Sequence, residues 1–100
     1  MAEKKVLMQT PTCAAVKREN NNARNLMKLE ASDVVGVVVN GGAVGAAVGI
    51  IDESILPLLV LCRNSLQGQQ LDPPAGVRVV AAAVQYLAQQ QALGWLYIRA

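Results

Sequence analysis

Residues Val34-Val35-Gly36-Val37-Val38-Val39 form a run that is almost wholly β-branched and carries no charge. Successive side chains of a strand point to opposite faces, so a half-exposed strand alternates apolar with polar. This one is apolar on both sides and needs cover on both. Strands of that kind belong to parallel sheets, whose crossover helices supply the two covering layers.

The flanking punctuation predicts what those layers are. A first strand over 5–9 leads through Thr10-Pro11-Thr12, with proline near the first helical position, into a helix over 12–29. Val16, Ala23, Leu26, Met27 and Leu29 give it an apolar side, and Asn20-Asn21-Asn22 is its weak point because asparagine amides compete for backbone hydrogen bonds. After the strand at 34–39, Asn40-Gly41-Gly42 turns the chain. Residues 43–51 are rich in Ala and Gly, too poor in strand formers for a second hairpin arm, and read as a short helix. A strand over 57–62, a short helix over 64–70, a strand over 77–80, a helix over 81–92 and a strand over 95–98 follow. In the last helix Val84, Leu87 and Ala88 share one side, Gln85 and Gln89 turn away, and Gly94 stops it. The alternation predicts a single three-layer α/β domain across residues 1–100, with a mostly parallel five-stranded sheet.

Composition narrows the function classes. The chain is 53% apolar and 16% charged, against about 45–50% and about 25% in ordinary soluble domains. Phe is absent and the aromatics are Tyr86, Trp95 and Tyr97, so Val, Ala and Leu build the core. A lone copy with that surplus exposes apolar patches, and a homo-oligomer is the simple remedy. Six bases in residues 1–30 are interleaved with Glu3, Glu19 and Glu30; that pattern fits a solvated helix face and argues against nucleic acid, which asks for clustered bases with stacking aromatics. Without histidine, Ser-His-Asp triads, Cys-His nucleophile pairs and histidine-containing zinc sites are excluded within the chain, and Cys13 and Cys62 make no C-x-x-C pair. No metal or cofactor is implied. MAEKKVLM lacks the apolar stretch of a secretory signal, so the expected setting is a reducing cytoplasm with free thiols.

Cys62 stands where the apolar run Leu56-Pro57-Leu58-Leu59-Val60-Leu61 gives way to the polar Arg63-Asn64-Ser65-Leu66-Gln67-Gly68. A buried strand delivers its last side chain to the mouth of a crevice, and a helix start beyond it holds negative charge. Arg63, and the amides of Asn64 and Ser65, would favour a thiolate there. The competing reading is a buried, inert thiol, since free cysteine is among the most buried residue types. Thr10, Asn40 and Gly41, at the ends of the first two strands, are pocket candidates.

Two other motifs are weaker. Asn40-Gly41-Gly42-Ala43-Val44-Gly45 follows a strand and is one position from the dinucleotide fingerprint, but the acidic partner about 20 residues on is missing, as is a Walker lysine; ligand or nucleotide binding at this turn is kept as an alternative. A membrane span from Val34 to Ile51 would be marginal in length, with acidic flanks and no aromatic belt.

Leu59-Val60-Leu61-Cys62-Arg63-Asn64-Ser65-Leu66, Gly76-Val77-Arg78-Val79-Val80, the Gln-rich helix and Gly94-Trp95-Leu96-Tyr97-Ile98-Arg99 together resemble the DsrE/DsrF-like family of intracellular sulfur-oxidation and sulfur-relay proteins. The likeness extends back through Val37-Val38-Val39-Asn40-Gly41 and Asn25-Leu26. It implies a flavodoxin-like fold, small homo-oligomers, sulfur donor and acceptor proteins as partners, and a persulfide carried on the cysteine after the third strand, which is Cys62. Family members often have His-Gly where this chain has Asn40-Gly41, which removes one proton handler. In a flavodoxin-like strand order the ends of strands one and three flank the ligand crevice; one reading brings Cys13 and Cys62 to that crevice as receiver and resolver, and the other makes Cys13 an ordinary helix residue. The reading of a different class is a non-catalytic oligomeric binding or scaffold protein with the same fold.

Overall fold

A computed structural model describes residues 4–29, 33–49 and 55–99. Strands and helices alternate along it as β1 (Lys5–Thr10), α1 (Cys13–Leu29), β2 (Val34–Val39), α2 (Ala43–Ala47), β3 (Leu59–Cys62), α3 (Arg63–Gly68), β4 (Arg78–Val80), α4 (Ala83–Ala92) and β5 (Leu96–Arg99). Every neighbouring pair is parallel, in the order β4-β3-β2-β1-β5. The expected three-layer, flavodoxin-like α/β architecture is therefore present.

Connection handedness explains the layers. From β1 to β4 the chain steps in one direction across the sheet, and right-handed crossovers put α1, α2 and α3 on one face. Their Val16, Ala23, Ala43, Val44, Ala47 and Leu66 pack against Val6, Met8, Val35, Val37, Val39, Leu59 and Leu61. The return from β4 to β5 runs the other way, so α4 lies alone on the opposite face, setting Ala83, Tyr86 and Leu87 against Leu7, Val38, Val60 and Cys62. Both faces of β2 are thus covered, as its composition demands.

Several expectations change in detail. In the strand order of flavodoxin itself, 2-1-3-4-5, strands one and three are neighbours; here β2 separates them. The strand foreseen over 57–62 begins at Leu59, because Leu56–Leu58 forms a single 3-10 turn with Pro57 at its start. The helix foreseen over 43–51 runs from Ala43 to Ala47, and residues 50 and 51 lie outside the described residues. α4 buries Ala83, Tyr86 and Leu87 and leaves Val84 76% exposed; the Tyr86 ring covers more sheet than Val84 could, and it rotates the helix away from the predicted side. No helix among the described residues is long and apolar enough to cross a membrane, and the segment weighed as a span is divided between β2 and α2.

The asparagine run does not break α1. Asn22 donates to Glu19 Oε1 at 3.3 Å and Arg24 donates to Asn21 Oδ1 at 2.9 Å, so these amides bond to side chains along the helix instead of to its backbone. Glu19 itself has no exposed surface. Burial pushes its carboxyl above the usual range, opposed by the Asn22 hydrogen bond and the Arg18 charge. A raised pKa in the folded state contributes stability below the ordinary carboxylate pKa and loses it as pH rises through the raised value. Glu19→Gln is therefore expected to be more stable than wild type at neutral pH and to flatten the pH dependence, as read by urea unfolding across a pH series.

Candidate functional site

α3 leaves the end of β3 on one face while α4 leaves the end of adjacent β4 on the other. That divergence makes the β3/β4 boundary the topological switch point, where open α/β sheets hold ligands at the carboxyl ends of their strands. Cys62 is the last residue of β3 and the N-cap of α3, with extended backbone at φ −80° and ψ 117°. Its side chain points to the α4 side, packed with Ala83 and Leu87.

Two helix starts therefore converge on one sulfur. Burial acts to raise the Cys62 pKa, but the Ser65 hydroxyl and the backbone amides of Ser65, Ala83 and Asn64 outweigh it and hold the thiol below its ordinary value. No side-chain capping bond closes on α3; the stabilisation is that of amide and hydroxyl dipoles turned toward a developing charge. Arg63 is exposed, and the lowering arises from these hydrogen-bonding groups rather than from its guanidinium. Access is narrow, because Cys62 is only 6% exposed.

Ser65 ties the sulfur to the turn after β2. Its Oγ accepts from the Gly41 amide at 2.9 Å, and Gln69 Nε2 donates to the Gly41 carbonyl at 2.9 Å and to the Ser65 carbonyl at 3.2 Å. Gly41 has φ +58°, the left-handed conformation that favours glycine, and a Cβ there would meet the Pro11 carbonyl at 3.4 Å. The turn's amide and carbonyl are thus committed to α3, which accounts for the glycine without a nucleotide.

A cleft of about 430 Å³ opens beside this region, between α4 and the ends of β1, β2 and β5. Gln9, Asn40, Gln91 and Tyr97 supply its polar wall and Val84, Leu87 and Ala88 its apolar one. Gln9 donates to Asn40 Oδ1 at 3.5 Å and accepts from the Tyr97 hydroxyl. Leu87 belongs both to this wall and to the packed cluster that holds Cys62. Cys62 itself lines neither this cleft nor the other two described.

The predicted residues are thus divided. Cys62, Asn64, Ser65 and Gly41 come together, and Asn40 enters the adjoining cleft. Thr10 is fully buried, its Oγ1 without a partner among the described residues, on the face of α1 and away from the cleft. Cys13 does not join Cys62: it is exposed, donates to the Gly42 carbonyl at 3.1 Å, and lines a groove with α1 and α2 residues. The strand order is the reason, since β2 stands between the strands that were to bring the thiols together. Gln9, Gln69, Tyr97 and the Ala83 amide were not foreseen. Alternation along β1 puts Leu7 and Gln9 on one face, but their partners depend on β5 returning beside β1.

No family model matches this chain. No curated protein matches it either. Among solved structures it is similar to MTH1491, a protein of unknown function from Methanobacterium thermoautotrophicum, with a TM-score of 0.78 and 25% identity over 97% of this chain and 99% of that one. The likeness spans the whole domain, so the three-layer α/β fold is one adopted by an existing protein from end to end.

Proposed function

We propose that this chain is a small cytoplasmic sulfur-relay protein that carries sulfane sulfur as a persulfide on Cys62. The observation supporting this reading is the convergence of the α3 and α4 starts on one sulfur at the switch point of the sheet. In the loading step the Cys62 thiolate attacks the outer sulfur of a donor persulfide; a new S–S bond forms, the donor's S–S bond breaks, and the donor leaves as a thiolate. In the delivery step an acceptor thiolate takes that outer sulfur and returns Cys62 as a thiolate. Ser65 and the three amides stabilise the charge in both resting forms. Donor and acceptor proteins and a homo-oligomeric state belong to the same proposal; exposed Leu93, Leu96, Tyr97 and Ile98 around β5 are the apolar surface that a second copy would cover.

The small exposure of Cys62 favours the alternative, an oligomeric scaffold that keeps the fold without the reaction. An intact-mass spectrum of the wild-type protein after treatment with a sulfane-sulfur donor separates the two. Relay is expected to add one sulfur atom, removed by dithiothreitol and mapped to the Cys62 peptide; a mass that never changes supports the scaffold.

A further inference from the structure

The cleft of about 430 Å³ beside α4 falls within the size range of small-molecule sites and lies at the carboxyl ends of β1, β2 and β5. Its nearest chemistry is a thiol that it does not touch. β2 and β3 pair as Val37 with Leu59, Val38 with Val60 and Val39 with Leu61, so one further step of that register sets Asn40, in the cleft wall, beside Cys62. Leu87 completes the boundary: it lines the cleft, packs in the cluster that holds Cys62, and is only 9% exposed. Val84 and Ala88, the other apolar residues of the wall, are exposed, so one leucine side chain stands between an open cleft and a nearly closed thiol. The polar wall says what the cleft accepts. No charged side chain lines it, and Arg99, beside Gln9 in register, is exposed to screening by water. Gln9 bonds with Tyr97 and with Asn40 Oδ1, which leaves Asn40 Nδ2 and the Gln91 amide for a ligand. Donors and an acceptor without a counter-charge suit a neutral amide. A carboxylate moving past Leu87 would enter the company of Leu7, Val38, Val60 and Ala83 with nothing to pair it.

We propose that this cleft binds small uncharged molecules that carry an amide, and that Leu87 is the gate through which their reactive end reaches Cys62. The amide of such a ligand meets Asn40 and Gln91, and its apolar part lies along Val84 and Ala88. A change of rotamer at Leu87 opens the passage and its return closes it, with no movement of the backbone. With Cys62 as the functional thiol of the proposed relay, the gate accounts for its small exposure without making it inert.

Cys13→Ser protein leaves Cys62 as the only thiol, and its alkylation by iodoacetamide or by iodoacetate is followed by intact mass. On that background Ala88→Trp, an exposed change that fills the cleft, is expected to slow iodoacetamide by about tenfold, and Leu87→Ala to speed it by about as much, a small part of the range that local opening spans. Leu7→Ala truncates the same cluster away from the cleft and is expected to leave the rate near that of the starting protein, which separates a gate from general loosening. Iodoacetamide is expected to outpace iodoacetate by a wider ratio at Cys62 than at exposed Cys13 in Cys62→Ser protein. An Ala88→Trp variant that reacts as before, a Leu87→Ala variant that is no faster, a Leu7→Ala variant that gains as much as Leu87→Ala, or equal reagent ratios at the two cysteines overturn the proposal. Alkylation reads access whether or not sulfur is ever carried, so these outcomes stand apart from the sulfane-sulfur mass test.

Discussion

Cys62→Ser is expected to abolish sulfur loading outright, whereas Ser65→Ala is expected to retain it with a pH dependence displaced toward that of an ordinary thiol. Serine cannot carry sulfane sulfur, so the first variant removes the chemistry and leaves the packing nearly unchanged. The second acts on charge. The Ser65 hydroxyl is the foremost of the groups that lower the Cys62 pKa against the effect of burial, and a hydrogen bond to an ionised group contributes about 1.5–3 kcal/mol. Its loss is expected to slow alkylation of Cys62 at neutral pH by about tenfold, with the rate recovering as pH rises past the ordinary thiol range. Ser65 also accepts from the Gly41 amide, but that amide is exposed and water can replace the hydroxyl, so the urea midpoint is expected to move little. Alkylation rate against pH, measured beside urea unfolding, checks both halves. An unchanged pH profile would mean that the converging amides and hydroxyl do not govern this thiol.

Much of this site was legible because its parts are adjacent in sequence. Cys62, Asn64 and Ser65 lie on one strand-to-helix turn, and the change from apolar to polar composition marks that turn. Gly41 is legible for a similar reason, since Asn-Gly-Gly after a β-branched run demands a left-handed residue. What the sequence hides is whatever depends on strand order. The Ala83 amide reaches Cys62 only because α4 crosses to the other face, and Cys13 stays apart only because β2 intervenes. Local periodicity is silent on both. The orientation of α4 was lost for a related reason: Val84, Leu87 and Ala88 form a reasonable apolar side, yet which of two overlapping sides is buried depends on how far the Tyr86 ring can reach over the sheet.

Leu61→Ala is expected to be the most destabilising single truncation of those that leave the candidate site intact. β3 is flanked by β2 and β4, with Leu61 paired in register with Val39 and Val79. Its side chain has no exposed surface and sits in the cluster beneath α1, α2 and α3. Truncating a buried leucine removes transfer free energy and leaves a cavity that neighbours fill only in part, at about 2–5 kcal/mol. Small Val and Ala neighbours have little side chain with which to collapse into the gap, which argues for the upper part of that range. Against a total of about 5–15 kcal/mol for a domain, the loss is large enough to lower the urea midpoint steeply with an unchanged slope. Leu96→Ala supplies the contrast. Leu96 is an exposed residue on the edge strand, so in a monomer the change is expected to stay within about 0.5 kcal/mol. In a homo-oligomer that covers β5, the same substitution is expected to reduce both the solution mass and the concentration dependence of the midpoint. The pair of variants thus separates the core within one chain from the surface between chains, and a Leu61→Ala midpoint close to wild type would contradict the packing assigned to β3.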